Sequence, residues 1–260
     1  MTLRSRRLAA FALLASVQLL ATPVLAAPAQ AQPDQIEPRS AAWTKGLQLN
    51  QAALQQVVGR PPAANGPEVA SDLAVLLWLQ TYRTPEMEAS AWLGLYRDPA
   101  AFSRALGVDM VKQIPTLSSG ITAFIKPVDQ VLGVLKATYR RQRPFRAHPQ
   151  IRPCLPLEDT YSFPSGHSTW YRTAAELLAD LVPERRDRLI AVGLHGGAAR
   201  VMCGMHYPSD VEAGQRLGAE AARQIIQSEQ WQAFRRDPAV QKDLQLLRSL
   251  APERLPVLVR

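Results

Sequence analysis

FPSGHSTWYRTAAELLADL, residues 163–181, is a Pro-Ser-Gly turn followed by a helix running from Gly166 to Leu181. The turn leaves backbone N–H groups exposed at the helix N-terminus, which makes a ready anion site. Gly166 lets the backbone approach a ligand closely, and Ser165 adds a hydroxyl donor. His167 stands where it can give a proton to a leaving group. The same stretch also fits an ordinary capped helix with a surface histidine, so its neighbours have to separate the two readings.

The helical pattern continues on both sides. Downstream, Pro183 to Arg200, Ser209 to Gln227 and Asp237 to Leu250 read as helices. Upstream, Ile121 to Gln142 is a long helical stretch interrupted early by Pro127. Thr84-Pro85-Glu86 is an N-cap with proline at the first helical position. Asp98-Pro99 repeats the device, and Gly107 follows as a stop. No run of strands alternates with these segments, and no repeat of fixed period is present. The expected fold is all-α, a single globular helical domain with a helix-bundle core over residues 67–260. Residues 27–66, rich in Pro, Ala and Gln, are expected to be loosely ordered, with a short helix near Gly46 to Val58.

The composition, 47% hydrophobic and 20% charged, suits a globular protein, and 260 residues can bury a sizeable core. Arg4, Arg6 and Arg7 precede an apolar run from Leu8 to Leu20, then the small-residue pattern Val24-Leu25-Ala26. This predicts a cleaved signal peptide over residues 1–26, with a second cleavage candidate after Ala31. The expected location is a periplasm or the cell exterior. No later segment is apolar for long enough to span a bilayer, so the mature chain is expected to have no stable membrane span. The net charge of +8 includes three arginines of the signal. No dense basic run interleaved with aromatics supports nucleic-acid binding, whereas a basic balance suits small anionic substrates. Cys154 and Cys203 are the two cysteines. An even count in an exported chain suggests one disulfide, with two buried thiols as the alternative.

Two further motifs carry basic and imidazole groups. In Lys136-Ala-Thr-Tyr-Arg-Arg-Gln-Arg143-Pro144, seven residues separate Lys136 from Arg143. On a continuous helix they share one face, about 10 Å apart along the axis, and can converge on one anion. Arg143 can bind phosphate bidentately while Lys136 acts as a point charge. Taken alone, such residues also fit a solvated helix face. In Arg200-Val-Met-Cys-Gly-Met-His206-Tyr-Pro-Ser-Asp210, the histidine and aspartate are one helical turn apart. The Asp210 carboxylate can accept from one ring nitrogen of His206 and leave the other as a nucleophile, or the pair can serve structure alone. Arg200 supplies a third cation.

Taken together, Lys-x6-Arg-Pro, Pro-Ser-Gly-His and Arg-x5-His-x3-Asp resemble the type 2 phosphatidic acid phosphatase superfamily. The exported context, the cysteine placement and the Arg-Val-Met-Cys-Gly run resemble its class A bacterial nonspecific acid phosphatases over about residues 70–250. The resemblance implies an all-α fold with His206 as nucleophile, Asp210 as its orienter and His167 as general acid. It implies that Lys136, Arg143, Ser165, Gly166 and Arg200 hold the phosphate, and that the protein is a homo-oligomer. Two features depart from the pattern. Ala199 stands where the family usually has serine, which removes a hydroxyl beside Arg200. Tyr207-Pro208-Ser209 is closer to the lipid phosphatase branch.

The reaction expected from these residues is hydrolysis of phosphate monoesters through a phosphohistidine on His206, fastest on the acid side of neutrality. No cofactor and no metal is expected, because none of His148, His167, His195 and His206 pairs with another ligand at metal-binding spacing. His148 reads as a loop residue and His195 as a packed helix histidine. Two other classes stay open. One is a vanadium-dependent haloperoxidase-like oxidoreductase, because those enzymes share these motifs. The other is a non-catalytic phosphate-binding protein on the same scaffold.

Overall fold

Eleven of the sixteen residues of the helix Gly166–Leu181 are buried, which is the behaviour of a central helix rather than a surface one. The computed structural model describes residues 36–251 together with 255, 256 and 258. The signal peptide expected over 1–26, with its cleavage candidates, lies outside the described residues. In chain order the helices are α1 (Ile36–Trp43), α2 (Gln51–Val58), α3 (Pro67–Tyr82), α4 (Pro85–Leu93), α5 (Ser103–Leu106), α6 (Met110–Gln113) and α7 (Pro115–Tyr139). They continue as α8 (Pro144–Ala147), α9 (Gly166–Leu181), α10 (Arg186–Met202), α11 (Pro208–Gln227), α12 (Glu229–Arg236) and α13 (Pro238–Ser249). Single 3₁₀ turns at Pro99–Phe102 and Pro183–Arg185 complete the set, and no strand occurs among the described residues. The fold is all-α, as the sequence pattern predicts.

Helix α9 packs against α10 and α11 through glycines that bring backbones close. A Cβ on Gly196 of α10 would stand 2.4 Å from the Tyr171 ring, and one on Gly214 of α11 would stand 2.5 Å from the Ser165 carbonyl oxygen. Both are far inside normal contact, so any larger residue would force the helices apart. The Ser165 N–H donates to the Asp210 carbonyl at 2.9 Å. This close packing draws the α10–α11 turn against the N-terminus of α9. The same core takes in Leu54 and Val58 of α2, so the described part of residues 27–66 contributes to it.

Helix α7 runs through Pro127 without a break and ends at Tyr139, where Arg140 turns left-handed at φ 49°. Its N–H still reaches the Lys136 carbonyl, at 3.0 Å. Arg143 then adopts extended geometry and heads α8, as a residue before proline should. Lys136 and Arg143 therefore do not share a helix face. A sharp bend between α7 and α8, rather than helical periodicity, brings them together.

Helix α12 has no counterpart in the sequence reading. Its eight residues are mostly polar, but Trp231 and Phe234 are fully buried. Trp231 meets the Phe124 ring edge-on at 4.9 Å and donates its indole N–H to Asp180 at 2.8 Å. His195, expected to be packed, lies on the exposed face of α10. Its neighbours Gly196 and Gly197 take the buried face instead. The sulfurs of Cys154 and Cys203 stand at bonding distance, with Cα atoms 4.8 Å apart. Among the described residues no helix is long and apolar enough to cross a membrane.

Candidate active site

His206 sits in the turn between α10 and α11 and is only 1% exposed. Tyr207 caps α11 and Pro208 begins it, so His206 lies one residue before the helix rather than within it. The Asp210 carboxylate still reaches back, with Oδ2 3.3 Å from His206 Nδ1. The same oxygen accepts the Tyr207 N–H at 2.9 Å and the Ser162 hydroxyl at 2.5 Å. These bonds fix the carboxylate, and the carboxylate fixes the imidazole edge that faces it. The opposite nitrogen, Nε2, is 3.1 Å from Arg143 Nη1. An arginine can only donate, so Nε2 is the acceptor and Nδ1 carries the proton. Burial first, then the charges of Arg143, Lys136 and Arg200, holds His206 well below the ordinary imidazole pKa. The ring is therefore neutral, with its lone pair on the side of the arginines.

Asp210 has a second support. Arg141 Nη1 donates to Asp210 Oδ1 at 2.7 Å, and its Nη2 donates to Asp72 of α3 at 3.1 Å. The Arg141 guanidinium lies 3.9 Å from the centre of the Tyr207 ring, within cation–π range. Asp72 also accepts the Ser209 N–H at 3.1 Å. Neither Arg141 nor Asp72 was identified as a site residue from sequence. Arg141 is one of three arginines in a basic run, and nothing local marks it as the partner of Asp210 and Asp72.

The three expected cations converge. Arg143, 1% exposed, commits all five N–H groups. Nε goes to the Thr160 carbonyl at 2.8 Å, and Nη1 to the Met205 carbonyl at 3.0 Å and to His206. Nη2 goes to Thr160 Oγ1 at 2.8 Å and to Glu158 Oε2 at 2.5 Å. Arg200, equally buried, gives one Nη2 bond to Glu158 Oε1. Its Nε and Nη1 are buried with no hydrogen-bond partner among the described residues. Lys136 points Nζ at the carbonyls of Tyr161 and Ser162. Burial, reinforced by Arg143, lowers its pKa to about 7.

Lys136, Arg143, Gly166 and His167 line one cavity of about 380 Å³, with Leu132, Gly133 and Glu158 among the other walls. The ion pair Arg97–Asp129, 2.6 Å long, stands at its side. His206 and Arg200 lie just behind, one touching Arg143 and the other Glu158. Ser165 is fully buried and caps α9 by accepting the Ser168 N–H at 3.4 Å; it is not among the cavity-lining residues. His167 donates Nε2–H to the Leu95 carbonyl at 2.8 Å. Burial, then the charge of Arg200, lowers its pKa to about 4. Among the described residues no group of three or more His, Cys, Asp or Glu forms a metal-holding cluster. The arrangement concentrates positive charge and N–H donors around a neutral, oriented imidazole, which is what nucleophilic attack on an anionic ester needs.

Comparison with known proteins finds phosphatases. The model of the PAP2 superfamily matches residues 117–233, the stretch that carries all of these motif residues. The non-specific acid phosphatase of Providencia stuartii is 32% identical over 152 residues, covering 56% of this chain and 57% of that protein. The acid phosphatase of Zymomonas mobilis subsp. mobilis is 29% identical over 154 residues, 56% of this chain and 54% of that one. The lipid A 1-phosphatase of Rhizobium johnstonii is 50% identical over 58 residues, 22% of this chain and 24% of that one. The chain thus spans a little over half the length of the two acid phosphatases.

Proposed function

We propose, on the PAP2 superfamily match over residues 117–233, that this chain is a phosphatase of that superfamily, an acid phosphatase acting on phosphate monoesters through a phosphohistidine. One observation carries the reading. Two buried arginines and a half-buried lysine gather near a neutral imidazole, and Arg200 keeps Nε and Nη1 buried without a partner among the described residues. Donors left unsatisfied in a buried site are costly, and a phosphoryl oxygen is the group that would satisfy them.

In the proposed reaction His206 Nε2 bonds to phosphorus as the ester P–O bond breaks. His167 gives its proton to the departing alkoxide. Water then attacks phosphorus, His167 takes the water proton, the P–N bond breaks and inorganic phosphate leaves. Arg143 Nη1, which donates to Nε2 in the structure, turns to the entering phosphoryl oxygen and releases the lone pair. Lys136, Arg143 and Arg200 offset charge on the equatorial oxygens, the main catalytic contribution in phosphoryl transfer. Gly166 offers its backbone N–H at the N-terminus of α9. Ser165 contributes by capping that helix. The positive charge comes from side chains, so the reaction is proposed to be metal-independent.

The cavity volume favours small phosphorylated substrates. Cys154 and Cys203 at bonding distance favour an oxidising compartment, in keeping with export to a periplasm or beyond; that the protein is a homo-oligomer is proposed on the family resemblance alone. The deciding experiment is hydrolysis of p-nitrophenyl phosphate in excess chelator, with acid quench and trapping of acid-labile phosphate. His206→Ala is expected to lower kcat by at least ~10³-fold and abolish the trapped species. Unchanged turnover in that variant would remove His206 from the mechanism.

A further inference from the structure

Glu158 belongs to the loop between α8 and α9, and its carboxylate bridges the two arginines of the site. Oε2 accepts from Arg143 Nη2 at 2.5 Å and Oε1 accepts from Arg200 Nη2. Arg143 has no N–H left over for another anion while this bridge stands. We infer, resting on the phosphatase reading above, that Glu158 is an internal counter-anion that occupies the phosphoryl seat and must leave before substrate binds.

Three observations support a seat that exchanges its anion rather than a fixed structural ion pair. First, the two arginine side chains are 1% exposed whereas that of Glu158 is 33% exposed, so the acid has a route to water that its partners lack. Its flanking residues Leu157 and Asp159 are exposed, so no packed core holds the loop at this point. Second, the bridge leaves Arg200 Nε and Nη1 unsatisfied. A carboxylate has two oxygens, whereas a phosphoryl group has three non-bridging oxygens and up to two charges. The substrate can thus take over both bonds of Glu158 and engage the orphaned donors as well. Third, burial opposes the charge on Glu158, yet Arg143, Arg200, His167 and Lys136 outweigh it and hold the group below the usual carboxylate range. The carboxylate is ionised and competes as an anion.

An internal competitor raises KM for every substrate and rejects weak anions. A free carboxylic acid offers the arginines nothing that Glu158 does not already supply. Only a group with more oxygens and more charge displaces it.

The test is calorimetric titration of the full chain with inorganic phosphate, which reads the seat whether or not the protein turns over. Glu158→Gln keeps the size of the side chain and removes its charge. It is expected to bind phosphate at least about tenfold more tightly than the unaltered chain, the smallest change expected for one charge-assisted hydrogen bond. KM for p-nitrophenyl phosphate is expected to fall by the same factor. Unchanged or weaker phosphate binding in the folded variant would overturn the inference and make Glu158 a support for the arginines. If Glu158→Gln does not fold, Glu158→Asp serves. Its shorter arm cannot reach both guanidiniums, so a smaller tightening is expected and none would overturn the idea. Phosphate that binds tightly without any ester hydrolysis would refute the phosphatase reading and leave the counter-anion standing.

Discussion

Arg141 Nη1 lies 2.7 Å from Asp210 Oδ1, so the acid that orients His206 is itself held by a buried cation. Arg141 reaches Asp72 with its other nitrogen, tying α3 to the head of α11. Removing it takes the cation from two carboxylates that are 0% and 8% exposed. Arg141→Ala is expected to destabilise the protein by about 3–5 kcal/mol, as for other broken buried pairs. It is also expected to lower kcat more than it raises KM, because the effect passes through Asp210 to the nucleophile. Arg141→Lys keeps the charge but cannot bridge both acids, so it should fall between. Denaturant melts and steady-state kinetics check both parts, and a change confined to KM would refute the positioning role.

Lys136 gives a pH dependence with a definite sign. Its folded pKa is about 7 against 10.5 when unperturbed. Below pH 7 it is cationic and contributes to the phosphate seat, and as pH rises through 7 that charge is lost. The contribution of Lys136 to phosphate affinity is therefore expected to fall across neutrality, and the difference in affinity between the unaltered chain and Lys136→Met should shrink from pH 6 to pH 8.5. Stability of the ligand-free protein moves the other way. Between pH 7 and 10.5 the unfolded chain binds more protons at this group, so its contribution to stability rises with pH there. Calorimetry at pH 6 and pH 8.5 checks the first part, and melts over the same range check the second.

His167 and His206 set the proposed rate profile. His167, at about 4 in the free protein, must carry a proton to act as acid, and a bound phosphoryl dianion would raise its pKa. His206 must be neutral, and burial with its cationic neighbours keeps it so far into acid. The expected profile of kcat, which reports the substrate-bound enzyme, is bell-shaped with its maximum below pH 7. A rate that climbs steadily into alkali would contradict this assignment of roles.

Cys154 and Cys203 are separated by 49 residues. A bridge closing that loop stabilises by roughly 4 kcal/mol in the chain-entropy model. Thiol titration of the denatured, unreduced protein is expected to find no free thiol. The double Cys154→Ser, Cys203→Ser variant should lose stability of that order.

Gly133 of α7 lines the cavity, and a Cβ placed there would meet no atom within 4 Å. Packing does not require glycine at this helical position. Gly133→Ala is expected to stabilise the fold by about 0.5–1 kcal/mol. Gly133→Leu should raise KM for bulky esters more than for p-nitrophenyl phosphate. Equal effects on substrates of all sizes would show that the leaving group lies elsewhere.

The helices were legible in sequence wherever a cap or a period marked them. Gly166 to Leu181 has the bounds the Pro-Ser-Gly turn predicts, and Thr84-Pro85, Asp98-Pro99 and Asp237-Pro238 all begin helical turns. Helix α12 was not legible, because its short polar run shows its two aromatics to be core only once α7 packs on them. The site residues with imidazole or guanidinium groups could be named in advance, since their chemistry is rare and their spacing tight. Glu158, Thr160, Ser162 and Asp72 could not. They are ordinary polar residues whose roles exist only through partners 15 to 137 residues away.

By itself the sequence determined the all-α class and which imidazoles and cations could meet an anion, because periodicity, caps and side-chain chemistry are local properties. Tertiary structure alone decided that Lys136 and Arg143 meet across a bend and that Asp210 is clamped by Arg141. It also decided that a carboxylate sits between Arg143 and Arg200. Those facts depend on how closely α10 and α11 approach α9, and that distance is set by glycine contacts between segments far apart in the chain.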